Sequence, residues 1–214
     1  MTKKLKLPLI GNTLDNFHCF QAALATILAY YLPDRSYDWK TLDRITAHSA
    51  NYTWPSAGLL YCASIGFEVL LIEDFDYGRF SLEGYSYLVE VAGKEVADDQ
   101  RANSDLPQEM RYAKELNSAI RIEQRIPSSR DLRDCLESGA PVICNVNSCT
   151  LSGRKGYTGH FVVVTGVGED GLWLHDPGLP PLEDEFVQWE LFDRAWSYPD
   201  AKARNIIAFR RAIA

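Results

Sequence analysis

The feature that most constrains this chain is a change of hydrophobic period along its length. Up to about residue 66 apolar residues recur at helical spacing, and from about residue 141 they come in short strand-like runs. Phe20, Ala23, Leu24, Ile27, Leu28 and Tyr31 fall at i, i+3, i+4, i+7, i+8 and i+11, which predicts a helix over 17–31. Asp15 or Asn16 is the expected cap, and Pro33 the stop. A second helix is expected over 39–48. A third is expected to open at Thr53-Trp54-Pro55, with the threonine as cap, and to end before Gly66.

Residues 67–72 then read as a strand. Residues 80–119 are mostly helical, best signalled over 107–119. Residues 120–126 alternate as a half-exposed strand would, and Ser128 caps a short helix that Gly139 closes. Strands follow at 141–146, 160–167 and 172–176, with the turn signal Asp170-Gly171 between the last two. A short helix around 189–196 and a strand near 205–210 finish the chain. Helices first and antiparallel strands later make an α+β fold. The expectation is one domain over 1–214: a helical half at about 1–66, a mixed middle at 67–140 and a sheet half at 141–214. A cleft is expected between the halves.

Composition narrows the class of function. The chain is 46% hydrophobic and 24% charged over 214 residues, an ordinary globular balance. Its net charge of −7 argues against binding nucleic acid, which needs concentrated Lys and Arg. The basic run Lys3-Lys4-Leu5-Lys6 is followed by only four apolar or proline residues before Gly11-Asn12, too few for the apolar core of a signal peptide. The run Phe161–Val164 is too short to span a bilayer. A soluble, cytoplasmic protein with no membrane partner is expected.

Five cysteines, an odd number in a chain of this size, do not suggest a disulfide scaffold. Cys62 and Cys135 on apolar helix faces and Cys144 inside an apolar strand read as small buried hydrophobes. Cys149 lies in a Ser/Thr/Gly loop and reads as incidental. Cys19 differs from all four. It falls in the first turn of the best-signalled helix, where unpaired N–H groups and the positive end of the dipole stabilise a thiolate, the reactive form of the thiol.

His160 opens a very apolar strand, and such a polar ring needs a partner. The next strand ends in His175-Asp176-Pro177-Gly178. If the turn uses Val167–Gly171, Gly166 faces Leu172 and Asp176 faces Val162, two residues from His160 on the same face of the sheet. Diagonal neighbours of that kind lie about 7–8 Å apart, within reach of longer side chains. A thiol on a helix N-terminus, an imidazole on a strand and a carboxylate on the neighbouring strand fill the roles of nucleophile, base and orienter. His18 points elsewhere around the helix, and His175 faces the other side of its strand. A zinc site from His18, Cys19, His160 and Asp176 would consume the nucleophile and lacks compact ligand spacing, so no metal and no cofactor are expected. Asn145 and Asn147 end a buried strand and could line the cleft.

Asn16–Leu24 around Cys19, Gly159-His160-Phe161-Val162-Val163-Val164 and His175-Asp176-Pro177-Gly178, in the order Cys, His, Asp, resemble the bacteriocin-processing (double-glycine leader) cysteine peptidases and their stand-alone relatives. The resemblance covers the first helix and roughly the last 60 residues. It implies a papain-like fold and thioester-forming hydrolysis of a peptide or amide bond, through Cys19, His160 and Asp176 and without a cofactor. The family usually carries a Gln about six residues before the Cys as an oxyanion donor. Thr13 stands there, and Asn12 and Asn16 are the candidates to replace it. Phe20 also stands where the family commonly has Gly. Two alternatives share the fold. One is an acyltransferase, by analogy with the N-terminal domains of butirosin-type acyl-transfer proteins, and the other is a catalytically silent binding module.

Overall fold

The computed structural model describes residues 4–48 and 51–211. The first three residues of the N-terminal arm, Lys3 of the basic run among them, lie outside the described residues. Helices α1 (Cys19–Tyr31), α2 (Trp39–Ile45) and α3 (Ser56–Ser64) come first, as the helical period requires. Two expected caps are corrected. Neither Asp15 nor Asn16 caps α1; His18 holds the N-cap position and makes no side-chain cap. Residues 13–16 form a turn instead, in which Asn16 N–H donates to the Thr13 carbonyl at 2.9 Å, with Asn16 at a left-handed φ of 63° that asparagine tolerates. The helix therefore starts at Cys19. Thr53 does not cap α3, because its hydroxyl is held by His48 and Gln21 at 2.6 and 3.1 Å.

After β1 (Glu68–Glu73) come four helices, α4 (Tyr77–Glu83), α5 (Tyr85–Ala92), α6 (Lys94–Asn103) and α7 (Leu106–Ala119). Strand β2 (Arg121–Gln124) and helix α8 (Ser129–Glu137) follow. The latter is opened by a reciprocal Ser128–Asp131 capping box. Then come β3 (Val142–Asn147), the single turn α9 (Ser148–Leu151), β4 (Gly159–Val167), β5 (Gly171–Asp176), β6 (Leu182–Gln188), α10 (Trp189–Trp196) and β7 (Asn205–Arg210). Strand β6 has no counterpart in the sequence reading. It is an edge strand with only Val187 buried, so it carries no apolar alternation to signal it.

The strands form one seven-stranded sheet in the order β2-β1-β7-β3-β4-β5-β6. Its ladders are antiparallel except for β1 with β2, whose parallel pairing is reached through the long crossover α4–α7. The sheet is thus not confined to 141–214. β7 returns between β1 and β3 and joins the middle of the chain to its end. Every residue of β4 but Gly159 is buried. Helix α1 is buried without interruption from Phe20 to Leu28, and the Phe20 ring lies 5.0 Å from that of Phe161 in β4. Phe20 also packs against α3 so closely that a Cβ at Gly58 would stand 2.8 Å from its ring. The bulky residue after Cys19 therefore fastens the helix start to the core. Among the described residues no helix is long and apolar enough to cross a membrane.

Candidate active site

Cys19 is the first residue of α1 and half-buried. The other four thiols are buried, Cys149 included. It sits in α9 with its Sγ 3.5 Å from the Thr158 hydroxyl, not in an open loop. Burial pushes the Cys62 thiol up to about 12 and Cys135 up to about 11, and raises Cys144 as well. Cys19 alone combines access with a helix N-terminus.

The loop before Cys19 is tied down by Asn12. Its side-chain oxygen accepts from Thr13 N–H at 2.8 Å and His18 N–H at 2.9 Å, and its Nδ2 donates to Asn16 Oδ1 at 3.0 Å. Its backbone N–H donates to the Pro177 carbonyl at 2.7 Å, which joins the cysteine loop to the residue after Asp176. His18 is engaged on the far side of the loop, with Nδ1 at 2.7 Å from the Thr13 hydroxyl and Nε2 at 3.2 Å from Asp43.

His160 Nε2 and Asp176 Oδ1 are 2.6 Å apart. The register that brings them together differs in one respect from the sequence argument. The turn occupies Gly168–Gly171, closed by Gly168 N–H on the Gly171 carbonyl at 2.7 Å, so Val167 pairs Leu172 and Gly166 pairs Trp173. Continued without interruption, that ladder would set Asp176 opposite Val163, on the face away from His160. Thr165 is an extra residue on β4, however, and beyond it Val164 pairs Leu174 and Val163 pairs His175. The next step of this ladder sets Asp176 across from Val162. The bulge thus supplies the register that the shorter turn removes.

Gly178 closes the His175-Asp176-Pro177-Gly178 run. Its N–H donates to the same Asp176 oxygen at 2.7 Å, and a Cβ at this position would lie 2.9 Å from that oxygen and 3.5 Å from His160 Nε2. Only glycine brings its amide this close to the pair. The H-D-P-G spacing could have indicated it, since an acidic residue commonly accepts from the N–H two residues on.

Electrostatics separate the two partners. For His160 the largest single influence is burial, which disfavours a charged ring. The hydrogen bond to Asp176 and the nearby Cys19 thiol, with the charges of both, outweigh it and raise the imidazole from 6.5 to about 10. Burial also works against an ionised Asp176, yet the His160 hydrogen bond and charge and the Gly178 N–H hold its carboxyl below the ordinary 3.8. Nε2 faces Asp176, which leaves Nδ1 as the nitrogen to meet the thiol. His175 takes no part: its Nε2 is bonded to the Leu7 carbonyl at 3.0 Å and its Nδ1 accepts from Asp184 N–H at 3.0 Å. Asn147 is spent on structure, accepting from Cys149 and Thr158 N–H at 3.1 Å each, whereas Asn145 lines a cavity beside Phe161.

No protein-family model and no curated protein matches the sequence. Solved structures do. A double-glycine-motif protease from an AMS/PCAT transporter, solved in complex with the leader peptide, superposes with a TM-score of 0.52 at 16% identity, over 98% of this chain and 94% of that one. The peptidase domain of Streptococcus ComA, a bi-functional ABC transporter involved in a quorum-sensing pathway, superposes with a TM-score of 0.54 at 15% identity, over 96% and 98%. At such identities the likeness is one of fold: the chain has the α+β, papain-like architecture of these peptidase domains.

Proposed function

We propose that the protein is a cysteine hydrolase of peptide bonds, with Cys19 as nucleophile, His160 as base and acid, and Asp176 as the residue that orients the imidazole. One observation carries this reading. A single ring is held at 2.6 Å by Asp176 on one nitrogen and acted on by the one accessible helix-terminal thiol. With Nε2–H donating to Asp176, the ring, its pKa raised to about 10, already holds the thiol proton on Nδ1, and the Cys19 sulfur attacks the carbonyl carbon as a thiolate. The protonated ring then delivers that proton to the leaving amine, and a thioester remains on Cys19. Water, deprotonated by the same nitrogen, adds to the thioester and releases the acid and the thiol.

The oxyanion formed at each step is stabilised by the Cys19 N–H at the start of α1 and by the second hydrogen of the Asn12 amide. Asn16, whose Oδ1 accepts from Asn12, positions that amide. The substrate class follows the fold neighbour solved with a leader peptide. Five free thiols suit a reducing compartment, and we place the activity in the cytoplasm.

The test is turnover of a peptide library together with intact-mass detection of an acyl adduct. The wild-type chain is expected to cleave and to accumulate a thioester with poor water access. Cys19→Ala should do neither, and Asn12→Asp should lose about 10²–10³ in kcat. Absence of cleavage by a chain whose Cys19 still alkylates rapidly would move the protein to the silent binding class.

A further inference from the structure

A cavity of about 200 Å³ opens between the Trp54-Pro55 segment that leads into α3 and the sheet, lined among others by Trp54, Glu73, Phe75, Tyr77, Asn145 and Phe161. Its place relative to the candidate centre is fixed by chain neighbours. Phe161 follows His160, Phe20 follows Cys19, and the two rings meet at 5.0 Å. The cavity is therefore lined by the residue next to His160, whose ring in turn touches the residue next to Cys19. Its volume is below the roughly 300–1,000 Å³ of pockets that enclose small ligands or cofactors, and suits one side chain.

The lining has a definite chemistry. Glu73, at the end of β1, is the one ionisable acid in it. One carboxylate oxygen accepts from the Tyr77 hydroxyl, and no other described residue bonds the second. No lysine, arginine or histidine of the described residues forms an ion pair with it, and burial, opposed by the Tyr77 hydroxyl, raises its pKa. A half-buried carboxylate without a counter-ion carries part of the cost of desolvation, and a positive charge brought from outside relieves that cost. The walls favour the same charge: the rings of Trp54, Phe75, Tyr77 and Phe161 are in the lining, and aromatic rings attract cations. Behind Tyr77 a second carboxylate, the buried Glu109 of α7, acts electrostatically on the phenol, and its Oε2 has no hydrogen-bond partner among the described residues. No three His, Cys, Asp or Glu side chains of the described residues converge to ligate a metal, so the cation that fits is organic.

We propose that this cavity is a specificity pocket that takes a lysine or arginine side chain of the peptide substrate, with Glu73 as its counter-ion and the aromatic wall around the aliphatic stem. The assignment rests on reading Cys19 as the centre of peptide cleavage. The test separates the two by using the Cys19→Ala chain, which cannot form an acyl adduct. This protein is titrated with N-acetyl-arginine methylamide and with N-acetyl-norleucine methylamide. The indole N–H of Trp54, identified by its loss in Trp54→Phe, is followed by NMR. Arginine is expected to bind at least about tenfold more tightly than norleucine, and Glu73→Gln to bring the two within about twofold. Equal binding of the two probes, or a preference for arginine that survives in a folded Glu73→Gln, overturns the assignment. The arginine–norleucine comparison needs no pocket variant and decides the matter even where Glu73→Gln does not fold. Wild-type cleavage without the preference removes the pocket and leaves the hydrolase. The preference without any wild-type cleavage keeps the pocket and removes the hydrolase.

Discussion

The His160–Asp176 pair links the site to stability through its protons. His160 holds its proton more tightly when folded, with its pKa raised from 6.5 to about 10, so its contribution is full below pH 6.5 and is lost as pH rises towards 10. Asp176, lowered from 3.8, contributes above that value and loses its contribution as pH falls through its lower folded value. Asp176→Asn removes the second contribution and the part of the first that Asp176 supplies. The melting-temperature gap between wild type and Asp176→Asn is therefore expected to be widest between pH 3.8 and 6.5 and to close towards pH 10. A gap that widened in alkali would contradict the pairing. Gly178 gives a steric counterpart at the same oxygen. Gly178→Ala places a Cβ 2.9 Å from Asp176 Oδ1, which can retreat only by loosening its hold on His160. Cleavage is expected to fall ten- to a hundredfold, as misplacements of about 1 Å commonly cost, while circular dichroism stays unchanged.

At the scale of elements, the hairpin β4–β5 shows what the sequence could and could not tell. Asp176 is matched to His160 in both the sequence argument and the structure, because each reaches the same pairing beyond Val164. The route differs: a turn one residue shorter is offset by the Thr165 bulge. Nothing local announces that bulge. It is stabilised from far away in sequence, where Leu5 N–H donates to the Thr165 carbonyl at 2.8 Å and Lys4 bridges Gly166 so closely that a Cβ there would lie 3.2 Å from Lys4 Cα. Period and caps are local signals, and they located α1, α7, α8 and the central strands. The arm's contacts, the acidic edge strand β6 and the Glu73 cavity depend on tertiary packing, and no spacing rule reports them. The arm is accordingly structural. Leu7 is buried, and its carbonyl accepts from the His175 ring at 3.0 Å. Leu7→Ala is expected to cost about 2–4 kcal/mol in urea denaturation, the usual range for a buried leucine. A loss within about 0.5 kcal/mol would mean that the arm does not hold the hairpin.

For the whole molecule the sheet decides how the halves behave together. β7, from the end of the chain, is hydrogen-bonded between β1 and β3, so the middle and the sheet half share one ladder. α1 is bound to that ladder through Phe20 and Phe161 and to α3 through Gly58. From such continuity we propose that the described residues form a single cooperative unit, since separable domains have few contacts across their boundary. The cysteines provide the measurement. Cys62 reports on α3, Cys135 on α8 and Cys144 on β3, and all three are buried thiols whose pKa burial raises. In the native protein iodoacetamide near neutral pH should modify Cys19 first and leave these three intact. With increasing urea, Cys62, Cys135 and Cys144 should become reactive over the same concentration range, coincident with the loss of circular dichroism. If Cys62 became reactive at distinctly lower urea than Cys144, the helical half would open alone, and the chain would be two units.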